Sequence, residues 1–229
     1  MATARWLIDQ FDANVLILDS YWSRGQQENW KTLTNFGANM RVLDSIAAAR
    51  FTQAKGADPT KTFLIGDSQG GWTVLRAFTD HDLQSEVNSL YRGGIALYPN
   101  CYMKKQLFGA DSFAPPLGPY TNKVIAFSGS IDTATPISQC DSTTIKAAEK
   151  WLIFDGATHA WDAPLPDGTC AKAANIYNRF NICRSDKYTQ ITHDEIVKFV
   201  QSTGPVPVKS SNAILSDDEA IDYLRSIKK

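Results

Sequence analysis

The sequence contains no apolar stretch approaching the ~20 residues that a membrane-spanning helix requires. It contains no long basic run, and its net charge is -1, so it lacks the electrostatic footprint of a nucleic-acid binder. No Cys-x-x-Cys occurs among its four cysteines, and no histidine stands at zinc-ligand spacing from them. Internal repeats and low-complexity tracts are absent. Residues 1–6 lack the charged and apolar regions of a signal peptide. The expectation is a cytoplasmic protein, or a mature or truncated form of an exported one.

What is present suits one globular domain. The chain has 229 residues, 43% hydrophobic and 21% charged. A chain of that size buries roughly 70% or more of its unfolded surface. Cys101, Cys140, Cys170 and Cys183 allow three disulfide connectivities, and sequence alone does not choose among them. Cys170 and Cys183 flank a loop-like insertion with little core of its own, where a staple would help. A disulfide leans towards a periplasmic or secreted protein.

Strands and helices alternate along the chain. Residues 3–11 suit a short amphipathic helix. The continuous apolar run at 14–18 suits a strand buried on both faces. From about 30 to 54 the apolar positions recur at helical spacing, and Gly56 to Pro59 closes that helix. Strands are expected at 63–65, 94–99, 123–129 and 150–154. Helices are expected from 71 to about 78, at 138–148 and at 193–201. Residues 101–120 look irregular. From 162 to 187 the pattern breaks into loop with a short helical piece around 171–177, either a lid or a surface excursion. Residues 204–207 form a linker or turn, and 216–227 a terminal helix. The fold class is therefore α/β with a mainly parallel sheet, one domain over 1–203 followed by the 204–229 linker and helix. Ligands of such sheets bind beyond the carboxyl ends of the strands.

The densest signal is Gly66-Asp67-Ser68-Gln69-Gly70, lying between an apolar run and a helical pattern. This is G-x-S-x-G in a strand–turn–helix context, the nucleophile elbow. Gly66 and Gly70 leave room for close backbone approach. Ser68 stands at the amino end of a helix, where partial positive charge favours a developing anion, and the Gln69 N–H can serve as an oxyanion donor. The plainer alternative is a Gly-rich turn whose Ser caps the helix.

A serine hydroxyl needs a positioned base. Of three histidines, His81 lies at the far end of the following helix and His193 reads as a solvated neighbour of a helix cap. His159 follows a strand directly, at the edge where Ser68 sits. The acid that orients it should fall between the two in sequence, at a strand end. Asp132 meets that condition. Asp111 follows no strand, Asp141 falls inside a helix, and Asp155 is too close in sequence to His159.

Three blocks together resemble the signatures of the dienelactone hydrolase family of α/β-hydrolases: residues 66–71, Gly129-Ser130-Ile131-Asp132 with Pro136, and Thr158-His159-Ala160-Trp161. Residues 18–25 are similar to a loop of its exported members. The resemblance covers roughly residues 5–202. It implies an α/β-hydrolase fold and a Cys101–Cys140 bridge, since such members carry Tyr98-Pro99-Asn100-Cys101 and a cysteine after the acid loop. Two features depart from the family. Ser68 stands where dienelactone hydrolases proper use cysteine, which points to a more general esterase. Relatives also carry further strands before Asn14, with a loop that donates a second N–H to the oxyanion. Residues 1–13 contain nothing like it, so the fold reads as shortened at its front: either the chain is a fragment, or a loop such as residues 20–25 substitutes, or activity is weak.

Tyr21, Trp22 and Arg24 either line the substrate pocket or pack structurally, with Asp19 as a candidate partner for Arg24. Trp161 is pocket wall or core, and Trp72 faces the helix–sheet interface. The expected function is a serine hydrolase cleaving a carboxylic ester or lactone through an acyl-enzyme on Ser68, with Asp132 and His159. Its partner is that small molecule; no metal or organic cofactor is expected. The alternative is a catalytically silent hydrolase-fold binding protein lacking a full oxyanion hole. A peptidase of this fold would usually carry a further domain.

Overall fold

The computed structural model describes residues 2–25, 38–79, 82–101, 124–140, 142–174 and 179–203. Four apolar segments form one parallel sheet: β1 (Phe63–Asp67), β2 (Gly93–Leu97), β3 (Val124–Gly129) and β4 (Lys150–Phe154), in the order β1-β2-β3-β4. Ile65 pairs with Ile95, Ile95 with Ile125, and Phe127 with Leu152. The two central strands are buried at every position. That is why they read as unbroken apolar runs rather than alternating ones.

Successive side chains of a strand point to opposite faces, so each strand feeds two cores. On one face, Ala96, Val124 and Ala126 pack with Val42 and Ile46 of α2 (Ala38–Ala54), with Val74, Leu75 and Phe78 from α3 (Gln69–Ala77) and its end, and with Val87 and Leu90 of α4 (Gln84–Leu90). On the other face, Ile95, Leu97, Ile125 and Phe127 meet Phe154, Trp161, and Ile196 and Phe199 of α6 (Asp186–Ser202); Trp6 and Phe11 of α1 (Ala2–Phe11) pack against the same cluster. Helices pack on both faces of the sheet. All four strands run in one direction, so their carboxyl ends share one edge.

A second sheet is the antiparallel hairpin β5 (Cys170–Ala174) and β6 (Arg179–Cys183), with Cys170 opposite Cys183. This corrects the helix expected around 171–177. Ala171, Ala173, Phe180 and Ile182 are half-buried and alternate with exposed Lys172, Ala174, Arg179 and Asn181. That is the period of a strand, and the Cys170–Cys183 disulfide ties the pair together. Cys101 and Cys140 form the second disulfide.

The expected strand at 14–18 is a further correction. Residues 12–19 carry no ladder pairing among the described residues, and Ile17 is 60% exposed. Among the described residues β1 is the sheet's edge, and its residues are less buried than those of β2 and β3. The last described helix begins earlier than expected. α6 spans Asp186–Ser202, because the Ser185 hydroxyl accepts the Tyr188 N–H and caps it there. The helix expected at 138–148 is a short 3-10 turn, Ile137–Gln139, followed by α5 (Ser142–Ala147). The expectations for 30–37, 102–120 and 204–229 lie outside the described residues, as do His81, Asp111 and Asp141. Among the described residues no helix is long and apolar enough to cross a membrane.

Candidate active site

The sharp turn between β1 and α3 leaves Ser68 at φ 51°, ψ -113°, a conformation that costs a non-glycine residue about 1–3 kcal/mol. Three backbone hydrogen bonds hold it there. Ser68 N–H donates to the Leu97 carbonyl at 2.9 Å, and the Ser68 carbonyl accepts from Trp72 N–H at 3.1 Å and Asn100 N–H at 3.3 Å. A Cβ on Gly66 would lie 2.3 Å from the Gly70 carbonyl, so only glycine fits. The second tight position is Gly71, whose Cβ would meet Leu97 and Pro99 at 3.0 Å. Gly70 has only Asp67 Oδ1 at 3.7 Å, so crowding does not explain its glycine.

Asp132 comes from the loop after β3. It is folded into a tight turn in which Oδ1 accepts from Ala134 N–H at 2.8 Å and Thr135 N–H at 3.0 Å. The Thr135 hydroxyl lies 2.8 Å from Oδ2 and 3.0 Å from the Tyr98 carbonyl. Burial works against the charge of Asp132. The hydrogen bond from His159, its charge and the Thr135 donors outweigh burial and hold the carboxyl below its usual pKa. His159 comes from the loop after β4. The two loops are laced together: Ser130 N–H donates to the Phe154 carbonyl and Ile131 N–H to the Ala157 carbonyl.

These elements bring Ser68, Asp132 and His159 into one line at the carboxyl edge of the sheet. His159 Nδ1 lies 2.7 Å from Asp132 Oδ2, and Nε2 lies 3.1 Å from Ser68 Oγ. An ionised carboxylate only accepts, so Nδ1 carries the ring proton and Nε2 is left to accept from the serine. The imidazole is 6% exposed and Asp132 4%. Edge-on contacts fix the ring, from Tyr98 at 4.8 Å and Phe180 of the hairpin at 5.5 Å. The hairpin also meets this loop through a bridge between His159 and Ile182 and through Cys183 N–H donating to Thr158 Oγ1 at 2.8 Å.

Tyr98, Thr135 and Phe180 were not singled out from sequence as site residues. Tyr98 takes a positive φ of 35° at the end of β2. Its buried hydroxyl donates to Asp162 Oδ1 at 3.0 Å and lies 3.5 Å from Asp67 Oδ2. Burial, then those two carboxylates, push its pKa well up. Thr135 had a readable signal: an Asp followed three residues later by Thr is a self-closing turn. Phe180 had none, because its place depends on the hairpin.

The remaining candidates divide. The Tyr21 hydroxyl donates to Gln69 Oε1 at 2.6 Å, which brings the 19–25 loop onto the elbow. Trp22 is 70% exposed. Arg24 is engaged elsewhere. It pairs in a forked geometry with Asp44 of α2 at 2.5 and 2.8 Å and donates to the Ser20 carbonyl. Asp19 is not its partner; Asp19 Oδ1 accepts from Tyr21 N–H at 2.7 Å and Trp22 N–H at 3.1 Å. Trp161 belongs to the core rather than a pocket wall. It is 1% exposed, stands edge-on to Tyr98 and Phe154, and donates to Thr192 Oγ1 at 3.2 Å. Trp72 lies in α3 and is buried. His193 is no cap neighbour. It lies inside α6, half-buried, stacked on Trp6 at 3.7 Å, and burial lowers its pKa.

A groove of about 460 Å³ runs beside Asp132 and the hairpin, lined by Thr133, Lys172, Arg179, Phe180 and Asn181 among others. Among the described residues no group of three or more His, Cys, Asp or Glu is placed to hold a metal ion.

No family model matches the chain, and no curated protein sequence matches it. Solved structures do. A Klebsiella pneumoniae protein assigned as a dienelactone hydrolase matches with TM-score 0.52 and 16% identity, over 72% of this chain and 62% of its own. The chain thus spans less than two thirds of that protein's length. Thermogutta terrifontis esterase 2, in its form phosphoramylated by tabun, matches with TM-score 0.57 and 18% identity, over 91% of this chain and 79% of its own. The likeness is one of fold: this chain has the α/β-hydrolase fold, which the motif resemblance to the dienelactone hydrolase family implied.

Proposed function

We propose that this α/β-hydrolase-fold protein is a serine hydrolase that cleaves a carboxylic ester or lactone through an acyl-enzyme on Ser68. The observation that carries the proposal is the line Ser68 Oγ, His159 Nε2, His159 Nδ1, Asp132 Oδ2, built on a strained elbow. Strain in this turn points a hydroxyl at an oriented imidazole.

In the reaction, Ser68 Oγ forms a bond to the ester carbonyl carbon as its proton passes to His159 Nε2. The carbonyl π electrons move to oxygen, and the resulting oxyanion lies against the amino end of α3, where Gln69 N–H donates. Collapse expels the alcohol, which takes the proton from Nε2. Water then attacks the acyl-serine with His159 again as base; the acyl–Oγ bond breaks, the carboxylic acid leaves, and Ser68 Oγ takes the proton back from Nε2. Asp132, held ionised, stabilises the transient imidazolium without taking its proton.

The two structural neighbours support the substrate class. One is assigned as a dienelactone hydrolase, and the other is an esterase caught as an organophosphorus adduct. The serine nucleophile favours the more general esterase chemistry. Two disulfides support a periplasmic or secreted setting. Residues 1–203 are proposed as a single hydrolase domain.

Hydrolysis of nitrophenyl esters of increasing acyl length tests this reading. The wild type is expected to turn over the short esters. Ser68→Ala and His159→Ala are each expected to lose about 10⁴-fold or more in kcat. A wild type with no turnover on any ester would overturn the proposal and leave a binding protein on a hydrolase fold.

A further inference from the structure

We infer that Tyr21 is a positioning residue that keeps the oxyanion-binding end of α3 open, acting through the side chain of Gln69; this rests on the ester-hydrolase reading above. α3 begins at Gln69, directly after Ser68. Its first N–H groups have no acceptor within the helix. The Ser68 side chain does not cap them. They are the donors an oxyanion on Ser68 would use.

Gln69 threatens that arrangement. A glutamine at the first position of a helix carries an acceptor close to the unpaired N–H groups of that turn. Such a self-cap would occupy the donors before any substrate arrived. In the structure the Gln69 acceptor is taken: Oε1 accepts from the Tyr21 hydroxyl at 2.6 Å. The residue is 9% exposed, and its Nε2 is buried with no hydrogen-bond partner among the described residues. A buried donor left unmet is unfavourable. The amide therefore does not sit where its own bonding is best satisfied; it sits where Tyr21 holds it.

Tyr21 is anchored well enough to do this. Asp19 Oδ1 accepts its N–H and that of Trp22, and Arg24 ties the same loop to Asp44 of α2. The Arg41 guanidinium lies 4.9 Å from the centre of the Tyr21 ring. α2 packs against α3 through Val42, Ile46, Val74 and Leu75. Loop and elbow thus share one rigid frame.

The test uses wild type, Tyr21→Phe, Gln69→Ala and the double variant, with kcat and KM on para-nitrophenyl acetate and thermal midpoints. Phenylalanine keeps the ring and removes the hydroxyl that holds the Gln69 acceptor. Tyr21→Phe is expected to lower kcat about 10-fold with KM within about 2-fold, since the lost donors act on the transition state. Removing the freed acceptor should relieve the damage, so the double variant is expected to be faster than Tyr21→Phe alone. A merely structural tyrosine would show no such rescue. Tyr21→Phe as fast as wild type, or a double variant no faster than Tyr21→Phe, overturns the inference. A wild type inert on every ester is a different result: it removes the ester-hydrolase reading, and this inference with it.

Discussion

At Ser68 the backbone is held against its own preference. Glycine adopts that φ and ψ without penalty, so Ser68→Gly is expected to raise stability by about 1 kcal/mol in urea unfolding while abolishing turnover. Gly66→Ala is the opposite case. Its Cβ would overlap the Gly70 carbonyl, and the expected loss is about 3 kcal/mol or more, visible as loss of soluble protein or a collapsed urea midpoint. The buried acid gives a pH prediction with a definite sign. The folded pKa of Asp132 lies below the unfolded value of about 3.9, so the unfolded chain binds the extra proton first. The stability it contributes is complete above that value and is lost as pH falls through the folded pKa. Urea midpoints taken at descending pH below about 5 should therefore fall less for Asp132→Asn than for wild type. Ser68, Asp132 and His159 were picked out by the elbow motif, chain order and strand ends, and their side chains lie within hydrogen-bond reach of one another. Tyr98 and the Gln69 amide were not, because their roles depend on which side chain folds against which.

At the scale of elements, β5–β6 is where sequence and structure parted. An Ala-rich run between polar residues reads as helix by propensity. The alternation that identifies strands is only five residues long on each side. Tertiary contacts decided it: the disulfide, the Ile182 bridge to His159 and the Phe180 edge on the imidazole. The apolar run at 14–18 failed for a related reason, since such a run specifies a strand only where a neighbouring edge pairs with it. The hairpin's position predicts a functional consequence. Replacing Cys170 and Cys183 by serine is expected to lower kcat on short esters about 3-fold or more, because Phe180 and Thr158 lose their support beside His159. The loop between them spans a separation of 13 residues. Its closure contributes up to roughly 3 kcal/mol, and differential scanning calorimetry of the same variant measures the stability part.

On the scale of the whole molecule, the fold was legible because parallel strands buried on both faces leave unbroken apolar runs, and the helices between them keep their own period. One consequence of that architecture is that four strands point their carboxyl ends at one edge, so residues 64 and 91 positions apart in sequence converge there: Ser68 with Asp132, and Ser68 with His159. The pairing of the cysteines was legible only by resemblance, since spacing alone leaves three connectivities open. The second oxyanion donor was not legible, and the observed contact of the 19–25 loop with the elbow runs through Gln69. The central claim is that Ser68 is an activated nucleophile in this setting. Intact-mass and peptide measurement after exposure to a fluorophosphonate tests it most directly. The account predicts one stoichiometric adduct on Ser68, absent in Ser68→Ala and strongly slowed in His159→Ala. A wild type that remains unmodified at every pH from ~6 to ~9 would contradict it.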